Sequence, residues 1–255
     1  AKFRAARGLW ATICRERFAI DDDRACQLRF HTQTAGSTLT AQEPMNNVVR
    51  VTVQALAAIL GGTQSLHTNS LDEALSLPSR EAAQLALRCQ QILATESGLT
   101  DVVDPLGGSP FIENLTRALE EGASEIIAQI DRQGGTLEAI DEGFVRSMIE
   151  ASAYRQQVSI DSGETRPVGV EDGEIPDAPF RVDSSIEEER RKGLATHREN
   201  RDDGALTGLL ETVGNAARSE VNVLPSLVDA VEGGATIGEI TETLAAVFGE
   251  YRENA

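Results

Sequence analysis

The residues of this chain that could do chemistry gather in three short stretches. The first reads His31-Thr-Gln33-Thr-Ala-Gly-Ser. The second reads Gln64-Ser-Leu-His67-Thr-Asn69-Ser and runs on into Asp72-Glu73. The third reads Asp104-Pro-Leu-Gly-Gly-Ser109. A glutamine such as Gln33 can orient a substrate carbonyl or carboxylate, or it can be a buried amide satisfied by its neighbours. His31 and His67 have the chemistry of zinc ligands, but the chain has neither an H-E-x-x-H nor a Cys-x-x-Cys pair. The expectation is therefore no metal, with both imidazoles hydrogen-bonded along a polar surface. Asn69 can cap a helix, and Glu73 read alone is a solvated helix charge. Gly107-Gly108-Ser109 resembles a phosphate cradle but lacks the dinucleotide and Walker patterns. No G-x-S-x-G is present, so nucleophilic catalysis has little support and a hard chemical step would fall to a cofactor.

These stretches must be positioned by the elements that carry them. Lys2 to Phe18 suits a helix, with Phe3, Leu9, Trp10 and Ile13 apolar. Gln27–Gln33 alternates with period two, which predicts a strand with Leu28 and Phe30 on one face and Arg29, His31 and Gln33 on the other. Asn46 or Asn47 can cap a helix that Gly61-Gly62 stops. Thr63–Thr68 reads as a second strand. Ser79 can cap a helix with Leu85, Cys89, Ile92 and Leu93 on one face. Thr100–Asp104 reads as a third strand, followed by an amphipathic helix from Phe111 to Ile130. Strands alternating with helices predict an α/β fold with a parallel sheet and right-handed crossovers, and hence three strand ends on one face. That face is where such sheets and barrels place their sites.

After Thr136 the strand signal fades. Leu137–Ser162 reads as helix. Residues 163–182 read as a linker, with breakers at Gly163, Pro167, Gly169, Gly173, Pro176 and Pro179. A charged helix over Ser184–Asp202, with Glu187 and Arg191 paired and His197 at the surface, precedes helices at Ala205–Ser219, Val223–Glu232 and Gly238–Arg252.

The chain has 255 residues and a formal net charge of −18, with Lys only at positions 2 and 192. Such a charge suits a high-salt interior or an ordinary acidic cytosolic enzyme. It argues against nucleic acid as a partner, since phosphate contacts need Lys and Arg. No apolar run reaches the roughly 18–20 residues a membrane span needs. Cys14, Cys26 and Cys89 fit reduced packing residues, so the expected location is cytoplasmic.

At the same residues a family becomes recognisable. LRFHTQTAGSTLTAQEPMNNVVRV, GGTQSLHTNSLDEALSLP and VVDPLGGSPFIENL, then GGTLEAIDEGFV, RQQVSIDSGETRPVGV and TIGEITETLAAVFGEYR, together resemble the large, catalytic subunit of the methylmalonyl-CoA mutases and their cobalamin-dependent acyl-CoA mutase relatives. The resemblance covers essentially the whole chain. It implies the C-terminal part of a (β/α)8 TIM barrel, about three parallel strands with helices, followed by an all-helical tail. The implied division is residues 1–162 for the partial barrel, 163–182 for the linker and 183–255 for the helical extension. The barrel interior would be polar, so that the pantetheine arm of coenzyme A can thread it, with His31, Gln33, Ser65 and His67 suiting that lining.

The resemblance also implies a radical carbon-skeleton isomerisation of methylmalonyl-CoA and succinyl-CoA, with adenosylcobalamin as cofactor. His31 and Gln33 match substrate-binding positions, and Asn69 and Glu73 match positions near the cobalamin and its adenosyl group. The family's catalytic tyrosine, carboxylate-binding arginine and histidine fall before position 1, so no catalytic residue is assigned within the chain. Met45 replaces the usual aromatic of PYNN, and Val170-Glu171 departs from VGVN. The DxHxxG cobalamin-binding domain is expected on another chain. The partners implied are an acyl-CoA substrate, the N-terminal part of the barrel and a cobalamin-binding small subunit. A chain starting at Ala1 rather than Met is expected to be one piece of a split barrel or of a longer polypeptide, inactive without the N-terminal part. The alternatives are an isobutyryl-CoA or 2-hydroxyisobutyryl-CoA mutase large subunit and, from another class, a non-catalytic scaffold or decayed fragment.

Overall fold

A computed structural model of the chain describes residues 1–170, 173–177 and 183–251. The chain divides into two compact units, Ala1–Arg181 and Val182–Ala255. The first unit runs α1 (Lys2–Glu16), β1 (His31–Gln33), a 3-10 turn (Gly36–Thr38), α2 (Asn46–Leu60), β2 (Ser65–His67), α3 (Arg80–Thr95), α4 (Pro110–Arg132), α5 (Thr136–Asp141) and α6 (Phe144–Asp161). The second unit carries α7 (Ser184–Asn200), α8 (Asp203–Ala217), α9 (Leu224–Glu232) and α10 (Ile237–Phe248). The described residues are thus mostly helical, with two parallel strands.

β1 and β2 pair in parallel, His31 opposite Ser65, Thr32 opposite Leu66 and Gln33 opposite His67. Parallel neighbours need a crossover, and α2 supplies it. Its β-branched residues are weak helix formers, so packing must hold it. Val51, Ala55 and Ala58 form its buried stripe, while α3, which packs against α2, buries Ala82, Ala86, Cys89 and Leu93. The buried stripe of α3 thus lies one position to the side of the predicted one: Cys89 and Leu93 are in it, but Ile92 is half exposed. Alanines on both helices allow a close approach that a larger side chain would prevent.

The third strand expected at Thr100–Asp104 is not there. Residues 99–103 form turns and bends, Val103 is 98% exposed and Asp104 takes a left-handed φ of 49°. A strand exists only where an edge receives its hydrogen bonds, and two Val residues between aspartates cannot supply that locally. Asp104 instead accepts from Arg4 of α1, whose other terminal nitrogen donates to Glu113 of α4 at 2.6 Å. This ion-pair cluster joins the segment to the packed α1–α4 pair. Three strand–helix units are therefore two among the described residues.

Other expectations shift in detail. The helix read over Leu137–Ser162 is two helices, because Gly143 at φ 74° breaks the register between α5 and α6. Neither Asn46 nor Asn47 caps α2; Met45 stands at the N-cap without a side-chain bond. Ser79 does cap α3, accepting from Ala82 N at 3.1 Å. Part of the segment read as a linker packs locally. Arg50 donates to Val168 O at 2.6 Å, and a Cβ at Gly169 would fall 2.4 Å from a Glu43 carboxylate oxygen. Glu171 and Pro179 lie outside the described residues, as does Arg252, the predicted end of the last helix.

The two units leave much surface uncovered. The chain exposes 17756 Å², whereas two separate compact units of these sizes would together expose about 13,000 Å². Phe111, Leu115, Leu119 and Ile126 of α4 are all exposed, and this helix has no buried residue. Among the described residues no helix is long and apolar enough to cross a membrane.

Candidate functional site

Side chains alternate along a strand, so the short β1–β2 ladder turns His31, Gln33, Ser65 and His67 to one face and Thr32 and Leu66 to the other. The first face is exposed and entirely polar. His31 Nδ1 and Ser65 Oγ, directly opposite in register, lie 2.7 Å apart. On the other face Thr32 Oγ1 meets Thr63 Oγ1 at 2.6 Å. Phe30 N donates to Gln64 Oε1 at 2.9 Å, which extends the pairing beyond the ladder.

The strand ends are locked together by Thr34 and Asn69. Thr34 N donates to His67 O at 3.1 Å, Asn69 N donates to Thr34 Oγ1 at 2.9 Å, and that hydroxyl donates to Asn69 Oδ1 at 3.2 Å. Gln33 Nε2 donates to the same Asn69 oxygen at 3.1 Å. Asn69 is therefore not a helix cap. Its Oδ1 receives two bonds, while its Nδ2 is buried with no partner. A Cβ built at Gly36 would sit 2.8 Å from that Nδ2 and 3.5 Å from Glu73 Cγ. Gly36 is thus the one residue type that fits between Asn69 and Glu73. Glu73 is exposed.

Two buried polar residues hold the loops behind this face. Asn47, fully buried, donates to Thr40 O at 2.8 Å and Leu71 O at 2.9 Å, and its Oδ1 accepts from Thr40 N at 3.1 Å. Asp72, also fully buried, accepts from Ser79 N at 2.9 Å through Oδ2. That places the carboxylate at the N-terminus of α3, where the helix dipole favours a negative charge. Thr68 Oγ1 donates to Ala86 O at 2.7 Å and ties β2 to α3.

The structure thus brings His31, Gln33 and Asn69 onto one connected face and sets Glu73 beside Asn69 across Gly36. The third predicted strand end is not part of it. Gly108 N donates to Glu113 Oε1 at 3.0 Å, so that turn is tied to the first turn of α4 rather than joining the ladder. Sequence reasoning missed Thr34 and the anchoring role of Asn47. Hydroxyls and amides next to predicted strand and helix ends were the signal, but which backbone group each would meet depends on the fold. A cavity of about 430 Å³ lies between the start of α1, β1 and α2, lined by Phe3, Thr32, Gln33, Thr34, Gln54 and Ala57 among others. Among the described residues no three His, Cys, Asp or Glu side chains gather as a metal site.

The profile of the family described as methylmalonyl-CoA mutase matches residues 1–250. The chain belongs to the methylmalonyl-CoA mutase family. It is 41% identical, over 99% of its length, to a 2-hydroxyisobutanoyl-CoA mutase large subunit of Aquincola tertiaricarbonis, of which it covers 46%. It is 43% identical over 98% of its length to the methylmalonyl-CoA mutase of Escherichia coli (strain K12), covering 36% of that protein. To the mitochondrial methylmalonyl-CoA mutase of Homo sapiens it is 40% identical over 100% of its length, covering 35%. The chain therefore spans between a third and a half of the length of these relatives.

Proposed function

We propose that this chain forms part of the catalytic subunit of an acyl-CoA mutase, an isomerase that interconverts methylmalonyl-CoA and succinyl-CoA. The observation that carries the reading is the polar strand face, on which Gln33 and Asn69 share a hydrogen bond beside His31 and Glu73. An ordinary barrel interior is filled by branched apolar residues; a polar one suits an amide- and thioester-bearing arm. His31 and Gln33 would meet the substrate, with the remaining hydrogen of the Gln33 amide directed at its carbonyl. The Gln33–Asn69 bond and the Thr34 lock fix that amide before substrate arrives, which is the preorganisation a reactive intermediate requires.

The residues present fit adenosylcobalamin. An unspent, buried Asn69 amide donor and the exposed Glu73 carboxylate, facing each other across a glycine, match the donor and acceptor hydroxyls of a ribose. When bound, the cofactor supplies the radical that starts hydrogen abstraction. Asn69 and Glu73 would orient it, and closure of the whole barrel around the strand face would keep water away from the reacting carbons. The corrin would come from a cobalamin-binding subunit, and the remaining strands from the N-terminal part of a (β/α)8 barrel. Residues 1–162 are assigned to that barrel, 163–182 to a linker and 183–255 to a helical extension. A cytoplasmic location belongs to the same reading, supported by three free thiols.

A second substrate reading, 2-hydroxyisobutyryl-CoA, is favoured by the 41% identity to the relative of that name. The test is isomerisation by the full protein with its cobalamin subunit, offered methylmalonyl-CoA and 2-hydroxyisobutyryl-CoA in turn. One hydrogen bond to the substrate of about 1.5 kcal/mol corresponds to roughly tenfold, so Gln33→Ala is expected to lower kcat/KM by about that factor. Asn69→Ala is expected to weaken cofactor binding, read from the cobalamin absorption spectrum. Absence of isomerisation with either substrate would overturn the reading in favour of a scaffold.

A further inference from the structure

All three cysteines are free and buried. Cys89 belongs to the buried stripe of α3. Cys14 and Cys26 are arranged differently. Cys14 ends the buried side of α1, and Cys26 lies in the turn that follows. The backbone folds back so that Ile20 N donates to Cys14 O at 3.0 Å. The Cys26 thiol then reaches Ile20 O at 3.8 Å, and the Cys14 thiol reaches Ala25 O, the carbonyl next to Cys26, at 3.9 Å. The Cys14 thiol thus reaches the carbonyl next to Cys26, and the Cys26 thiol reaches the carbonyl of the residue whose N–H bonds Cys14. Burial, and then the adjacent Cys26 sulfur, hold the Cys14 thiol above its ordinary range.

We propose that Cys14 and Cys26 are a redox pair, which a small hydroperoxide closes into an intramolecular disulfide that ties the end of α1 to the turn entering β1. The intervening turn can open without breaking a helix or the ladder. Asp21 to Ala25 are exposed, and Ala19 holds a left-handed φ of 51° that an alanine leaves readily. Asp21, Asp22 and Asp23 lie exposed in that turn, so a neutral peroxide approaches it more easily than an anionic disulfide reagent. Cys26, at 6% exposure against 2% for Cys14, is the first to react. Its thiolate attacks one peroxide oxygen, the O–O bond breaks, and a sulfenic acid forms with release of water or an alcohol. The Cys14 thiol, giving up its proton as it does so, then attacks that sulfur; the S–S bond forms, the S–O bond breaks, and the second oxygen leaves as water carrying that proton. Two thiols lose two electrons in all and one peroxide gains them.

The test uses the native protein in its natural assembly, reduced, freed of reductant without air, and treated with hydrogen peroxide. Unreacted thiols are then alkylated and tryptic peptides are mapped by mass spectrometry. The expected product joins the Cys14 and Cys26 peptides, about 2 Da lighter than their reduced sum, with Cys89 alkylated and the link reversed by dithiothreitol. In Cys26→Ser, Cys14 should become alkylatable after the same treatment. Full alkylation of both cysteines, a link from either to another cysteine, or sulfinic acid at one of them without a link would overturn the proposal. So would a Cys14 disulfide that survives in Cys26→Ser.

Discussion

Thr34 occupies the point where the two strand ends are fastened, and its hydroxyl serves Asn69 twice, as acceptor and as donor. Thr34→Val keeps the shape and removes both bonds, leaving a buried N–H of Asn69 without its partner. The expected cost is about 1–3 kcal/mol, read as a lower urea midpoint with an unchanged slope. At the same scale, Glu239 in the second unit bonds the Arg201 guanidinium at 2.5 and 2.8 Å and accepts from Thr236 N and its hydroxyl. The Arg201 contact first, then the Thr236 N–H and hydroxyl, hold this carboxyl well below the usual carboxylate range. A lowered folded value means that the contribution is complete above the ordinary Glu value of about 4.3 and fades as pH falls below it. Glu239→Gln should therefore cost about 2 kcal/mol at neutral pH, and the gap between variant and wild type should narrow as urea melts are taken down towards pH 3. A gap independent of pH would show that the charge on Glu239 is not what stabilises α10.

At the scale of elements, helix ends follow local chemistry and helix faces follow neighbours. Ser79 caps α3 through Ala82 N, and Asp72 accepts the Ser79 N–H just before it. Ser79→Ala should cost about 1 kcal/mol, measured as a shift in thermal midpoint of the first unit. The C-terminal helices repeat this pattern. Asp202 caps α8 through Ala205 N, and Thr236 with Glu239 forms a capping box on α10. Such caps are written in the residues themselves, which is why α8 and α10 fall within about two residues of the predicted helix starts. His197, expected at the surface, is exposed and bonds Gly234 O at 2.8 Å, a carbonyl that also accepts from Arg201.

At the scale of the whole molecule, the sheet is unfinished. A two-stranded parallel sheet presents an unpaired row of N–H and C=O groups on each outer edge, and parallel sheets are ordinarily covered on both faces. The exposed row Phe111, Leu115, Leu119 and Ile126 on α4 adds an apolar face of the kind that soluble monomers rarely keep. Prepared alone, the chain is therefore expected to self-associate. Sedimentation velocity over a tenfold range of concentration should show species heavier than 27.3 kDa, growing as concentration rises. A single monomeric boundary at every concentration would contradict this.

Local signals in the sequence determined much of this protein. The period-two run over Gln27–Gln33 put His31 and Gln33 on one face, although only His31–Gln33 forms strand; glycines ended α2 and α4, and Ser79 started α3. These are decided within a few residues by side-chain alternation, positive-φ glycines and caps, so they are legible without a fold. The tertiary structure decided what depends on distant partners. Val102 and Val103 had strand composition, but Asp104 turned to Arg4, the segment did not reach the open sheet edge, and the third strand did not form. Asn47 and Asn69 looked like caps because Asn caps locally. Burial instead matched them to Leu71 O and Thr34, partners 24 and 35 residues away. The placement of Glu73 beside Asn69 required a glycine from a different loop, Gly36, and only the pairing of β1 with β2 brings those loops together.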